Sequence, residues 1–333
     1  MSEKRSSVFW RWAAGIAVLY LVLAVLYGVT IPVFETPDEN GHYAYIHELT
    51  EGRGLPVQGA PSGRRVTGYV ASHPPLYYAL CAALTFWVPD DVDFRAWAWR
   101  NPLHANGFPG SVGNKNFVIH TEEEAFPWHG TPLTVHIARW VSALLGAVAV
   151  VGTYGTAWEL TGGNRRRPAI ALGAAALTAF NPMFVFTGGR VSNDAAVAAF
   201  GALTIWGATR LATRGLSRRG LVLLGLVQGL TILSKLSGLA LLPAVVLAFL
   251  VRSVFGVRGS VFGVRRSALR VPHQGSNTER RTQNPEPGTQ NPEPFPRLLV
   301  DALLLFGTVV LLCGWWFVRN QILYGELLGI NAW

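Results

Sequence analysis

The feature that most limits the possible folds of this chain of 333 residues is its set of long, uninterrupted apolar runs. A helix needs about 20 apolar residues to cross a bilayer. Only 14% of the residues are charged, against about a quarter in soluble domains. The sequence therefore predicts an all-α polytopic membrane protein and excludes an ordinary soluble enzyme. The long runs cover 8–31, 134–160, 168–187, 195–212, 220–251 and 298–318.

The run 220–251 is too long for one upright span, and an arginine stands at each of its ends. We therefore expect it to return to the side that it left, as a hairpin of two short helices broken near Lys235. With this pair the chain has about seven transmembrane helices. The shorter run 74–88 has too few residues to span a bilayer comfortably, and it is expected to be an interfacial helix.

Basic residues orient these segments, because they concentrate on the cytoplasmic side of membrane proteins. They precede the first run and follow the runs 134–160 and 195–212. All three groups are cytoplasmic if the N-terminus is cytoplasmic and 32–133 forms one large outer loop carrying interfacial helices. The predicted organisation is a transmembrane core over 1–251, with a last transmembrane helix and an outer tail over 298–333. We expect a multi-pass protein of the plasma membrane.

Residues 252–297 differ from everything around them. The segment Ser253–Arg258 recurs as Ser260–Arg265, and Thr282–Pro287 recurs as Thr289–Pro294. Such repeats have no pattern that builds a core, so the sequence predicts a disordered cytoplasmic insertion. Its arginines contribute much of the formal net charge of +9. The basic composition therefore does not indicate a nucleic-acid partner.

Polar residues gather directly after the first apolar run, from Pro37 to His42. Asp38 and Glu39 precede His42 by four and three residues, so the three would share one side of a helix. Such a group could hold a divalent metal or supply an acid and a base. The alternative is a helix on the membrane surface, capped by Thr36 and started by the proline.

Further polar residues fall where the predicted topology brings them to the same outer face. They stand at the start of the interfacial helix, before the run 195–212, at the hairpin break and after the last run. A carboxylate with several cations at one leaflet suits an enzyme that acts on an anionic lipid. Each residue alone is also explained by a helix cap or an interfacial anchor. They are His73, Tyr77, Arg190, Asp194, Lys235 and Arg319.

In this order, the motifs resemble those of the GT-C superfamily of membrane glycosyltransferases. That superfamily includes protein O-mannosyltransferases, lipid A aminoarabinose transferases and bacterial relatives of family 39. The resemblance covers nearly the whole chain outside the insertion. Superfamily members usually continue beyond this point, so the chain ending at Trp333 is expected to be C-terminally truncated. The matching blocks are Pro37–Tyr43, His73–Tyr78, Asn181–Asp194, Gly229–Lys235 and Trp316–Gly325.

The resemblance implies inverting transfer of a sugar from a polyprenyl-phosphate donor to a hydroxyl acceptor on a protein, lipid or glycan. It implies that Asp38 is the general base, with Glu39 as a second catalytic carboxylate. Donor-phosphate ligands would be His73, Arg190, Lys235 and Arg319, supported by His42, Tyr77 and Asp194. Some members use a divalent metal and others do not; Glu39 and His42 would be its ligands here. Two alternatives remain: a lipid-binding or transport protein, and an inactive truncated remnant.

Overall fold

The computed structural model describes residues 3–59, 65–89, 97–102, 104, 116–255 and 295–329. Within these ranges the architecture is helical, and the only strand-like feature is an isolated bridge between Arg100 and Val118. The helices are α1 (Glu3–Thr30), α2 (Glu39–Thr50), α3 (Leu76–Thr85), α4 (Gly130–Leu160), α5 (Arg167–Ala179), α6 (Pro182–Gly188), α7 (Asp194–Arg214), α8 (Arg218–Ser234), α9 (Leu242–Phe255), α10 (Phe295–Ala302) and α11 (Thr308–Tyr324).

The predicted all-α polytopic architecture is confirmed. Five helical segments of the described chain are long and apolar enough to cross a membrane, and the bent pair of α5 and α6 makes a sixth if it counts as one span. The helix α8 has 17 residues, about 25 Å at helical rise, and forms the short first arm of the hairpin. The five segments are Val8–Thr30, Gly130–Leu160, Asp194–Arg214, Leu236–Ser253 and Pro296–Tyr324.

Large apolar side chains remain exposed on the outer faces of these helices. Leu177 and Leu311 are 80% and 85% exposed, and Ile322 is 77% exposed. Burial of such surface stabilises by about 25 cal/mol per Å². These faces therefore suit a lipid environment.

The sequence predicts one continuous helix over the run 168–187, but the structure has two. The helices α5 and α6 meet at an angle of 63°. Pro182 lacks an N–H donor and disfavours helical backbone in the residue before it. Asn181 accordingly is extended, and its side chain accepts hydrogen bonds from the N–H groups of Met183 and Phe184. The proline and its capping asparagine therefore break the span.

The predicted break at Lys235 is present. This residue has extended backbone, with φ −160° and ψ 141°, and a 3₁₀ turn over Leu236–Leu241 leads into α9. Across the turn, Gln228 Nε2 donates to the carbonyl oxygen of Gly238 at 3.0 Å. Side chains from the beginning of α8 and from α9 share one hydrophobic core. The two arms thus fold back on each other as a hairpin.

The helices α2 and α3, in the segment that the sequence predicts as an outer loop, are largely buried. Tyr45 on α2 and Tyr78 on α3 are fully buried, and they pack in one core with side chains of α4 and α7. The alternative of a surface helix capped by Thr36 is wrong. The helix α2 begins at Glu39 with Asp38 as its N-cap residue, and the Asp38 carboxylate accepts no hydrogen bond from the first N–H groups of the helix.

A histidine joins two distant parts of the predicted outer loop. His120 lies 2.9 Å from Glu35 Oε1 through Nε2 and 2.8 Å from Glu124 Oε1 through Nδ1. Burial alone would raise the pKa of Glu35. Hydrogen bonds from the backbone N–H groups of Phe117 and Val118, together with His120, outweigh it and lower this pKa. The contacts fix the chain that leads from α1 to Asp38.

Most of the predicted insertion 252–297 lies outside the described residues. The helix α9 continues to Phe255, and α10 begins at Phe295. The first four and the last three residues of the predicted insertion are therefore helical.

Candidate active site

Polar side chains from four separate segments meet at one end of the helical core. The segments are the loop after α1, the turn before α3, the start of α7 with the loop before it, and the break between α8 and α9. The sequence reading predicted this convergence for all of these segments. We call the following six residues the polar cluster: Asp38, Tyr69, His73, Arg190, Asp194 and Lys235.

Asp194 joins the two cations of the cluster. Lys235 Nζ donates to its Oδ1 at 2.5 Å, and Arg190 Nη2 donates to its Oδ2 at 2.9 Å. The hydroxyl of Ser192 also donates to Oδ2, at 3.2 Å. The carboxylate and the lysine side chain remain about one-third exposed, at 34% each. Two positive groups are thus held side by side at an accessible position, which suits a phosphate ligand.

Asp38 occupies a strained position in the polar cluster. Its φ of 62° and ψ of 3° are left-handed, a conformation that few residues other than glycine adopt, although aspartate tolerates it better than most. Tyr69 is hydrogen-bonded to the Asp38 side chain; burial, followed by this bond, raises the pKa of Tyr69. The phenol therefore stays neutral and donates to the carboxylate. No sequence motif had indicated Tyr69.

The buried His42 and the partly buried His73 share one tyrosine hydroxyl beside the cluster. Tyr78 Oη lies 2.8 Å from His42 Nδ1 and 3.0 Å from His73 Nδ1. Burial is the main cause that lowers the pKa of His42 to about 3, and burial together with the charge of Lys235 lowers that of His73 to about 4. Both imidazoles are therefore neutral at neutral pH. The resemblance implies that His73 binds the donor phosphate, but it does not specify the charge of the imidazole.

Glu39 is turned away from the cluster and forms a buried ion pair. Arg139 on α4 donates to both of its carboxylate oxygens, at 2.8 and 2.6 Å. The backbone N–H groups of Phe34 and Val191 donate to the same oxygens. The side chains of Glu39 and Arg139 are 0% and 1% exposed. This geometry favours a structural role for Glu39 over the catalytic one that the resemblance implies.

Arg139 also binds the end of α1. Its Nη1 and Nη2 atoms donate to the carbonyl oxygens of Gly28, Ile31 and Pro32. One guanidinium thus connects α4, α1 and the first turn of α2. The sequence reading missed Arg139, although a charged residue inside an apolar run is itself a signal of function or of buried pairing.

Glu39 and His42, the two expected metal ligands, direct their side chains to other protein groups. The carboxylate of Glu39 accepts four hydrogen bonds, which use the acceptor positions of its two oxygens. His42 directs Nδ1 to Tyr78. In the described ranges, no group of three or more histidine, cysteine, aspartate or glutamate residues is arranged to hold a metal ion.

Two other predicted residues lie at the edge of the site. Arg319 donates to the carbonyl oxygen of Pro56 at 2.8 Å and lies over the ring of Trp316 at 4.8 Å. Within the described residues, no hydrogen bond or ion pair joins Arg319 to the polar cluster. The Tyr77 hydroxyl lies 2.8 Å from Ser142 Oγ and accepts from the Ser192 N–H. Tyr77 therefore supports the loop that carries Arg190 and Asp194.

Comparison with known proteins gives one match. Residues 134–261 match the family of dolichyl-phosphate-mannose-protein mannosyltransferases. No curated protein and no solved structure matches the chain. The matched stretch contains Arg190, Asp194 and Lys235, whereas Asp38 and His73 precede it.

The match agrees with the helical architecture. It supports glycosyltransferase activity with a lipid-linked donor at a general level. The order of motifs from Asp38 to Lys235 and this match point to the same superfamily. The family match, together with the candidate membrane spans, supports the assignment of the chain to the GT-C superfamily of membrane glycosyltransferases.

Proposed function

We propose that the chain transfers a sugar from a polyprenyl-phosphate donor to a hydroxyl acceptor at the outer face of the plasma membrane. The transfer inverts the anomeric configuration, and Asp38 is the general base. Arg190, Lys235 and His73 bind the donor phosphate. The acceptor is a protein, lipid or glycan that presents a hydroxyl group.

The convergence of Asp38 with two cations is the observation that carries this proposal. Asp38 and Tyr69 act together through a hydrogen bond, and the charges of Lys235, Asp194 and Asp38 all act on the ring of His73. A base and a cationic group for the leaving phosphate are the two requirements of the reaction. They come from segments that lie far apart in the sequence.

The reaction is a single displacement. Asp38 accepts the proton of the acceptor hydroxyl while the acceptor oxygen attacks the anomeric carbon. The bond between the anomeric carbon and the phosphate oxygen breaks, and its electron pair leaves with the lipid phosphate. Arg190 and Lys235 stabilise the negative charge that grows on this phosphate. Since Asp194 forms ion pairs with both cations, the phosphate shares them with this carboxylate.

Asp38→Asn tests the base assignment. The amide cannot accept the acceptor proton, so we expect transfer to fall by roughly 100-fold or more, with expression unchanged. The protein in proteoliposomes is supplied with polyprenyl-phosphate mannose and related sugar donors, and with membrane extract as the source of acceptors. Mass spectrometry measures the release of free polyprenyl phosphate.

Glu51→Gln is the matched control, because Glu51 is an exposed carboxylate at the other end of α2. It should leave transfer at the level of the unmodified protein. Full activity in Asp38→Asn contradicts the base assignment. Binding of the donors without any transfer by the unmodified protein favours the lipid-binding alternative.

A further inference from the structure

The amide of Asn193 determines which nitrogen of His73 carries the proton. Asn193 is fully buried, and its Nδ2 donates to the carbonyl oxygen of Ser234 at 3.0 Å. That oxygen can only accept, so the amide nitrogen has to face it. The same Nδ2 lies 3.4 Å from His73 Nδ1. A proton on Nδ1 would face this N–H donor, so the contact favours an accepting Nδ1, with the proton of His73 on Nε2.

The hydroxyl of Tyr78 extends this order to a second histidine. The hydroxyl has one proton and lies within hydrogen-bond distance of both His42 Nδ1 and His73 Nδ1. Because His73 Nδ1 carries no proton, its single lone pair accepts from Tyr78 at 3.0 Å and, as the longer branch of a three-centre hydrogen bond, from Asn193 Nδ2 at 3.4 Å. Tyr78 in turn accepts from the Nδ1–H of His42. The hydrogen bonds thus run in one direction, from His42 through Tyr78 to His73.

The remaining nitrogen of His73 is available to a ligand. Among the residues that the structure describes, none forms a hydrogen bond with Nε2 of His73. This nitrogen is also not one of the buried polar atoms without a partner, so it is accessible. The ring feels the charges of Lys235, Asp194 and Asp38, so it lies beside the polar cluster. An accepting Nδ1 also means that the imidazole is uncharged.

We propose that His73 binds the donor phosphate as a neutral hydrogen-bond donor through Nε2–H, and that Asn193, Tyr78 and His42 are its positioning residues. This inference rests on the proposed function. The cluster already holds two formal positive and two formal negative charges, from Arg190, Lys235, Asp38 and Asp194. A neutral donor adds a directed hydrogen bond to the phosphate without a third cation beside the base.

The amide variants of His73 separate the two ring nitrogens. The amide nitrogen of His73→Gln reaches the position of Nε2, whereas that of His73→Asn reaches only that of Nδ1. We expect His73→Gln to keep transfer within about tenfold of the unmodified protein and His73→Asn to lose about 100-fold, as for the loss of one aligned donor. Equal losses in both variants would overturn the assignment of Nε2.

A spectroscopic measurement tests the tautomer without any activity. The full chain, labelled with ¹⁵N-histidine in lipid nanodiscs, gives long-range ¹H–¹⁵N correlations that distinguish Nε2–H from Nδ1–H. The signals of His42 and His73 are assigned by their loss in His42→Gln and His73→Gln. We expect Nε2–H for His73, and its signal should shift when polyprenyl phosphate is added. An Nδ1–H or doubly protonated ring, or no shift, would overturn the proposal.

The positioning role is tested with a matched pair of tyrosine variants. Tyr78→Phe removes the hydroxyl between the histidines and should lower kcat about tenfold with little change in KM, while the Nε2–H signal broadens through tautomer exchange. Tyr45→Phe keeps the ring that stacks on Tyr78 at 4.0 Å and removes the Tyr45 hydroxyl, which donates to the backbone oxygen of His73. It should leave both readouts unchanged. Equal effects in both variants would overturn the role of Tyr78.

The outcomes distinguish this inference from the proposed function. Nε2–H on His73 together with a phosphate-dependent shift, but without any transfer of sugar, contradicts the proposed function and leaves the phosphate contact intact. Transfer that depends on Asp38, with a proton on Nδ1 of His73, contradicts the inference alone.

Discussion

Arg139 fixes the start of the predicted outer loop from inside α4. Removing one partner of a buried ion pair leaves the other charge unpaired, which costs about 3–5 kcal/mol. Arg139→Gln should therefore lower the melting temperature in detergent strongly, because it also loses the three carbonyl contacts at the end of α1. Intrinsic tryptophan fluorescence on heating measures this temperature.

Arg53→Gln is the control for this experiment. Arg53 is 46% exposed and its Nε lies 3.5 Å from Glu48 Oε1, so water screens this pair far more than the fully buried pair of Arg139 and Glu39, and its loss should cost much less. A melting temperature of Arg139→Gln equal to that of Arg53→Gln would show that the buried pair does not hold the fold.

Single residues were predictable from the sequence where a motif or the topology marked them. Arg190, Asp194 and Lys235 were predicted at one face, and the structure brings them into direct contact. Tyr69 and the Arg139–Glu39 pair were not predicted, because their partners lie tens of residues away and no local pattern indicates the pairing. Topology places Arg319 at the predicted end of its helix but does not specify that it binds Pro56 instead of the cluster.

At the scale of helices, Gly238 sets how closely the hairpin turn approaches α8. A Cβ atom added there would lie 2.7 Å from the backbone carbonyl of Thr231. The backbone cannot move aside as a flexible side chain would, so Gly238→Ala should destabilise by about 1–3 kcal/mol. It should also lower transfer, because the turn carries Lys235. Thermal unfolding and the transfer assay measure the two effects.

Gly173→Ala supplies the matched control in α5. A Cβ atom there meets nothing within 4 Å, and alanine favours helix over glycine by about 1 kcal/mol. Its melting temperature should stay the same or rise. A Gly238→Ala protein as stable as Gly173→Ala would contradict the close approach.

Hydropathy predicts where the helices lie, but the sequence predicts only some of the breaks within the apolar runs. The break at Lys235 was predicted because arginines at both ends of 220–251 require the chain to return. The bend at Asn181 was not predicted, because its apolar run is continuous and nothing in its length demands a return. Pro182 was the available signal. A helix break is thus easier to predict where charged residues constrain the topology than where the geometry of a proline alone causes it.

At the scale of the whole molecule, burial of α2 and α3 follows from packing that no local pattern encodes. The composition of α2 is typical of a surface helix, yet Glu39, His42 and Glu48 on it are buried. They are buried because α3, α4 and the start of α7 pack around α2 in one core. Hydropathy predicts which segments enter the membrane, whereas it does not predict which polar segments the helices enclose.

Enclosing two neutral histidines makes the whole fold sensitive to acid. Burial is the main cause that lowers the pKa of His42 to about 3 and that of His73 to about 4, from an ordinary value of 6.5. Between these values the unfolded chain binds more protons than the folded protein. Their contribution to stability is therefore fully present above pH 6.5 and decreases as the pH falls.

We expect the unmodified protein to lose up to about 2 kcal/mol for each of these histidines between pH 7 and pH 5. Melting temperatures in detergent over this range measure the loss. Because glutamine does not titrate, the double variant His42→Gln/His73→Gln should show a flatter dependence on pH, whatever its absolute stability. An equally steep decrease in the double variant would mean that other groups, and not these two enclosed imidazoles, make the fold sensitive to acid.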